Sequence, residues 1–86
     1  MKKIHKLVLA KSDNIYEMEK DSEILCSQLQ DGWPVIWYLC TPSKQMEKRE
    51  IVMYGTGWEI KEPEKHIYIS TFQKNGLVFH IFEKVK

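Results

Sequence analysis

The chain has 86 residues, the size of one small domain, and a domain this small buries only about 60–65% of its unfolded surface, so its core is thin. With 43% hydrophobic and 29% charged residues, the composition is that of an ordered globular chain and argues against intrinsic disorder. Thirteen basic and twelve acidic side chains leave a formal charge of +1, which argues against a nucleic-acid groove or an anionic membrane surface as partner.

Alternation with a period of two dominates, and no long window carries a helical stripe. Met1-Lys2-Lys3 resembles the start of a signal peptide, but the apolar run Leu7-Val8-Leu9-Ala10 is too short for one and Lys11 ends it. No segment approaches the ~20 apolar residues of a membrane helix, so a cytoplasmic protein is expected. Lys2 to Ala10 reads as a first strand. After the turn chemistry of Ser12-Asp13-Asn14, Ile15 to Glu19 reads as a second, with a short helical turn over residues 13–20 as the competing reading.

Ile24 to Gln30 and Trp33 to Cys40 are strands joined by Asp31-Gly32, a type I′ hairpin signature. With a two-residue loop, facing positions sum to 63, which puts Cys26 opposite Trp37 and Cys40 opposite Glu23, on different faces. That register forbids a Cys26–Cys40 disulfide. No Cys-x-x-Cys occurs, and His5, His66 and His80 lack metal-ligand spacing, so no metal or cofactor is expected. Pro34 falls opposite Leu29, where its missing N–H is tolerable.

Thr41 to Gln45 is a polar excursion expected to be mobile. Lys48 to Tyr54 reads as a fifth strand, broken by Gly55-Thr56-Gly57, and Trp58 to Lys65 as a surface connection. Ile67 to Gln73 and Leu77 to Glu83 form a second hairpin around Asn75-Gly76. Facing positions there sum to 151. One face carries Ile69, Thr71, Gln73, Val78, His80 and Phe82, the other Tyr68, Ser70, Phe72, Leu77, Phe79 and Ile81. Both faces are largely apolar, which predicts a hairpin covered on both sides. The fold expected for residues 1–86 is one all-β domain, a small antiparallel β-sandwich or partly open barrel of about seven strands with little helix.

The candidate site gathers the only arginine, Arg49, with Tyr54, Gly55, Thr56, Gly57, Trp58, Thr71, Gln73 and His80. Gly-Thr-Gly brings backbone N–H groups close to a partner, although it serves equally as a tight strand connection. Arg49 is suited to a bidentate clamp on phosphate, or more simply to a pair with Glu47 or Glu50. Trp58 and Tyr54 suit ring stacking, or for Trp58 the capping of an open core. His80 beside Thr71 and Gln73 reads as a hydrogen-bonded histidine or a ligand contact. No acidic orienter shares that face, so catalysis is not expected.

Tyr54-Gly55-Thr56-Gly57, Tyr68-Ile69-Ser70-Thr71-Phe72-Gln73 and Gly76-Leu77-Val78-Phe79-His80-Ile81-Phe82-Glu83 resemble a small uncharacterised family of phage and prophage proteins. The likeness runs nearly full length, through Gln28-Leu29-Gln30-Asp31-Gly32 and Lys48-Arg49. It implies an all-β domain encoded by mobile elements. Trp58 stands where relatives usually have histidine, and Ser70 where they often have glycine.

These readings lead to a non-enzymatic, phage-type protein that sequesters a phosphate-bearing, nucleotide-like ligand and so blunts a bacterial defence signal. The alternative is a protein-binding inhibitor of a defence complex, which predicts one flat patch of Trp33, Trp58 and Tyr16. A phosphoesterase using His80 is a third possibility. The thin core and an unpaired Lys2–Ala10 edge predict a homo-oligomer.

Overall fold

The computed structural model describes residues 1–43 and 45–86. Among them, seven strands run in chain order: β1 (Lys3–Val8), β2 (Ile15–Glu19), β3 (Glu23–Gln30), β4 (Trp33–Cys40), β5 (Met46–Gly55), β6 (His66–Lys74) and β7 (Leu77–Lys84). A single 3-10 turn, Pro63–Lys65, precedes β6. Two antiparallel sheets form, ordered β1-β4-β3 and β2-β5-β7-β6, and they face each other as a sandwich rather than closing into a barrel. The excursion from Thr41 to Gln45 includes Lys44, which lies outside the described residues.

Alternation explains the core. Tyr16 and Met18 of β2, Ile36, Tyr38 and Cys40 of β4, Ile51 of β5 and Ile81 of β7 turn inward and form one buried cluster, with Leu7, Ile24, Ile69 and Phe72 packed around it. Burying Tyr16 and Met18 together fixes residues 15–19 as a strand, not a helical turn, because positions two apart share a face only in extended chain. The sandwich is tied along its β3–β6 side, where the Ser27 N–H donates to Ser70 Oγ at 2.8 Å. Ser70 therefore links the two sheets through a hydroxyl that glycine lacks.

Both hairpins turn as their sequences dictate. Asp31-Gly32 and Asn75-Gly76 have φ of 53° and 82°, and 52° and 79°, the positive pair a type I′ turn requires. Near the turns the expected registers hold: Cys26 faces Trp37, Leu29 faces Pro34, Thr71 faces His80 and Phe72 faces Phe79. The β1 ladder ends with Val8 opposite Val35, and just beyond it the Leu9 N–H donates to the Pro34 carbonyl at 2.9 Å, so the missing proline N–H forfeits only the reciprocal bond at the strand's end.

Farther from the turns each register slips by one residue, at Leu25 in β3 and at Ile69 in β6. A bulge sets two residues against one and leaves the extra one unpaired. Glu23 consequently faces Leu39 instead of Cys40, and Cys40 pairs with Lys3 of β1. Tyr68 faces Phe82 and joins the face of Thr71 and His80, while Ile69 turns to the core. These two residues exchange the faces that plain alternation predicts.

The expectation of a hairpin covered on both sides is also corrected. β7 is interior to its sheet, but β6 is an edge, and the three-stranded sheet covers only one face of the pair. On the open face the apolar side chains bury against one another. Phe82 lies beneath Tyr54, His66 and Tyr68, each packed edge-on at 5.6–5.9 Å, a geometry aromatic quadrupoles favour.

Candidate functional site

The Gly-Thr-Gly segment is a turn in which the Trp58 N–H donates to the Gly55 carbonyl at 3.0 Å. Gly57, at φ 90°, occupies the position where a type II turn needs glycine. Gly55 answers to a different demand: a Cβ there would stand 2.6 Å from the Trp58 ring. The indole lies across Gly55 and packs edge-on against Phe79 at 6.3 Å, capping the inner face at an open end of the sandwich. Two of the turn's amides are already bonded, Thr56 to the Val78 carbonyl and Trp58 to Gly55.

Thr56 carries the turn's chemistry to the outer face. Its Oγ1 lies 2.8 Å from His80 Nε2, and His80 Nδ1 lies 3.0 Å from Thr71 Oγ1, which is 2.7 Å from the Tyr68 hydroxyl. Four side chains from β6, β7 and the turn thus form one hydrogen-bonded line, with His80 bracketed by hydroxyls. Beside it the Tyr54 hydroxyl lies 2.9 Å from His66 Nε2, and His66 Nδ1 lies 2.9 Å from the Glu62 carbonyl. A carbonyl only accepts, so a neutral His66 carries its proton on Nδ1 and accepts a hydrogen bond from the Tyr54 hydroxyl at Nε2. Tyr68 and Thr71 remain exposed.

Next to this face, where Lys84 pairs with His66, lies a cleft of about 780 Å³ lined by Lys48, Lys65, Lys84, Lys86, Glu50 and Glu62, and also by Arg49 and Glu83. Lys65 is paired with Glu62 at 2.9 Å, and that bond holds the Glu62 carboxyl below its usual range. Among the described residues Lys48, Lys84 and Lys86 form no ion pair. The cleft can therefore present several cations to an anion.

Arg49 is engaged elsewhere. Its Nε and Nη2 donate to the two carboxylate oxygens of Glu83 at 2.6 and 2.8 Å, and Nη1 donates to the Ser22 carbonyl at 2.6 Å. The Glu83 hydrogen bonds raise the guanidinium above its ordinary value. Glu47, an expected partner, is a looser contact at 3.7 Å. Arg49 also lies six residues along β5 from Gly55, roughly 20 Å in extended chain.

The expected site residues therefore divide. Tyr54, Thr56, Thr71, Gln73 and His80 share the outer face, with Gln73 exposed opposite Val78. Gly55, Gly57 and Trp58 shape the turn, and Arg49 braces the far end of β5. Sequence reasoning missed Tyr68, hidden by the bulge, His66, which the same one-residue shift sets opposite Lys84, and the cleft lysines Lys48, Lys84 and Lys86.

It also missed a second cluster. His5 Nδ1 lies 2.9 Å from Glu19 Oε2, and Cys40 Sγ lies 3.5 Å from His5 Nδ1 and 3.6 Å from Glu19 Oε2. The Tyr38 hydroxyl donates to the other Glu19 oxygen at 2.9 Å. Burial pulls the Glu19 carboxyl up, but its own backbone N–H, Tyr38, His5 and Cys40 together hold it below its usual value. Burial and the neighbouring Glu19 push the Cys40 thiol up. Strand pairing assembles this group from residues far apart in the chain, which is why spacing gave no sign of it.

A comparison with curated proteins finds no match, and neither does a comparison with solved structures. A family model, described as a domain of unknown function, DUF7352, matches residues 1–86, and the chain belongs to that family.

Proposed function

We propose that the chain is a binding protein that holds a nucleotide-like ligand without altering it, on the open face of the four-stranded sheet. The observation that carries this reading is the adjacency of two surfaces: an aromatic and imidazole face, Tyr54, His66, Tyr68 and His80, meets at the His66–Lys84 pair a cleft where, among the described residues, Lys48, Lys84 and Lys86 form no ion pair. Bases and similar rings stack on aromatic side chains, a contact worth about 1–3 kcal/mol per base. The lysines would meet phosphate as point charges, in place of the bidentate arginine expected from sequence. Thr56, Thr71 and Gln73 would read polar ring edges. A non-catalytic role is favoured because both ring nitrogens of His80 face threonine hydroxyls, with no carboxylate to orient it.

The resemblance to phage and prophage proteins supplies the biological setting of this proposal: sequestration, in the bacterial cytosol, of a nucleotide signal used in defence. Incubation with linear and cyclic nucleotides tests it. Stoichiometric binding, with unchanged ligand recovered after heat denaturation, is expected. Chemically altered ligand would establish an enzyme instead.

A second reading, a protein-binding inhibitor, is favoured by one further feature. Trp33, Met53, Trp58 and Leu77 are each 41–60% exposed and are joined through Pro34 and Phe79 along shallow hollows at one end of the sandwich. Tyr16 does not join them, since it is buried in the core at 4% exposure. The same apolar end, or the β1 edge with exposed Ile4 and Val8, would serve the proposed homo-oligomer. Light scattering at micromolar concentration distinguishes a dimer from a monomer.

A further inference from the structure

His5 on β1, Glu19 at the end of β2 and Cys40 at the end of β4 bring a nitrogen, an oxygen and a sulfur donor to one point. These three donor atoms lie within 4.8 Å of one another. We propose that His5, Glu19 and Cys40 form a zinc-binding site, with a water molecule as fourth ligand on the side where His5 reaches solvent. This site is separate from the outer face and its lysine cleft.

The geometry fits the metal. At ordinary Zn–N, Zn–O and Zn–S lengths of about 2.0–2.3 Å, a tetrahedral ion holds its donor atoms roughly 3.3–3.6 Å apart. The sulfur lies 3.5 Å from the imidazole nitrogen and 3.6 Å from the carboxylate oxygen. Only the third edge, 2.9 Å between His5 Nδ1 and Glu19 Oε2, is shorter, because a proton lies between the two atoms. When zinc binds, the neutral His5 imidazole keeps its proton on Nε2, the Cys40 thiol proton leaves to solvent, and the edge opens by a few tenths of an ångström.

Donor chemistry narrows the choice of ion. A thiolate beside an imidazole and a carboxylate suits borderline zinc, whereas calcium and magnesium take oxygen ligands alone. One thiolate and one carboxylate also balance a dication inside a core where an unbalanced charge is costly. Tyr38 orients the carboxylate by donating to Glu19 Oε1, the kind of support that tunes metal sites. The His5 side chain is 37% exposed against 9% for Glu19, which provides both the entry path and room for a water.

Titration of the full-length chain with Co2+, a coloured substitute for Zn2+, tests the site. One equivalent should give a thiolate-to-cobalt charge-transfer band and the intense visible bands of a four-coordinate ion, and Zn2+ should bleach both. Cys40→Ser should abolish the charge-transfer band, Cys26→Ser should leave it intact, and His5→Ala should weaken binding at least about tenfold. Tyr38→Phe should weaken it roughly ten- to a hundredfold. Cys40 is in the core, so His5→Ala, with its fold checked by circular dichroism, carries the test if Cys40→Ser does not fold. Absence of the band at stoichiometric Co2+, unchanged affinity in His5→Ala, or loss of the band in Cys26→Ser would overturn the proposal.

Discussion

Gly55 and Gly57 are glycines for different reasons, and the difference is measurable. Gly57→Ala places a Cβ at φ 90° in open space, so only backbone strain acts, and urea unfolding should show a loss of about 1–2 kcal/mol. Gly55→Ala drives the Trp58 indole off Phe79, and the tryptophan emission should shift to the red. Tyr38 gives a third residue-scale expectation. Burial, then the hydrogen bond and negative charge of Glu19, push its hydroxyl up from 10.0 to about 12. A raised acid is stabilising while protonated, so its contribution is whole below pH 10 and is lost as pH rises toward about 12. Spectrophotometric titration should show one of the four tyrosines ionising last, together with alkaline unfolding, and Tyr38→Phe should remove that late step.

Among the elements, the strands and both type I′ turns were legible because each rests on local chemistry: period-two alternation, and Asp-Gly or Asn-Gly where φ must be positive. The bulges were not. An extra residue at Leu25 or Ile69 leaves the alternation on either side looking regular, yet it reverses every facing pair beyond it. The shift at Ile69 carried Tyr68 onto the candidate face, and the one at Leu25 separated Cys40 from Glu23. Part of the site could be read, since Thr71 and His80 lie on the turn side of the bulge, where the arithmetic holds. Arg49 could not be placed, because its partner Glu83 belongs to a strand that pairs with β5 through a nonlocal contact. Glu83→Gln removes the charge that answers a part-buried guanidinium, and chemical unfolding should register a loss of about 1–3 kcal/mol. Glu47→Gln, at 3.7 Å and 36% exposed, should stay within about 0.5 kcal/mol.

At the scale of the whole molecule, a charge of +1 conceals an uneven surface. Lysines collect at the cleft where β7 ends, aromatics and imidazoles lie along the open face, and large apolar side chains sit at the end bearing Trp33 and Trp58. Composition cannot report such segregation, since it sums over surfaces that only the fold distinguishes. The proposed function requires the open face and the lysine cleft to bind one ligand together. A two-dimensional NMR titration of the labelled chain with a cyclic dinucleotide tests this most directly. Resonance shifts should form one continuous track through Tyr54, His66, Tyr68, His80 and Lys84, and Lys84→Ala should weaken binding. No shifts, or shifts confined to the apolar end around Trp33, Met53, Trp58 and Leu77, would rule out binding on the open face.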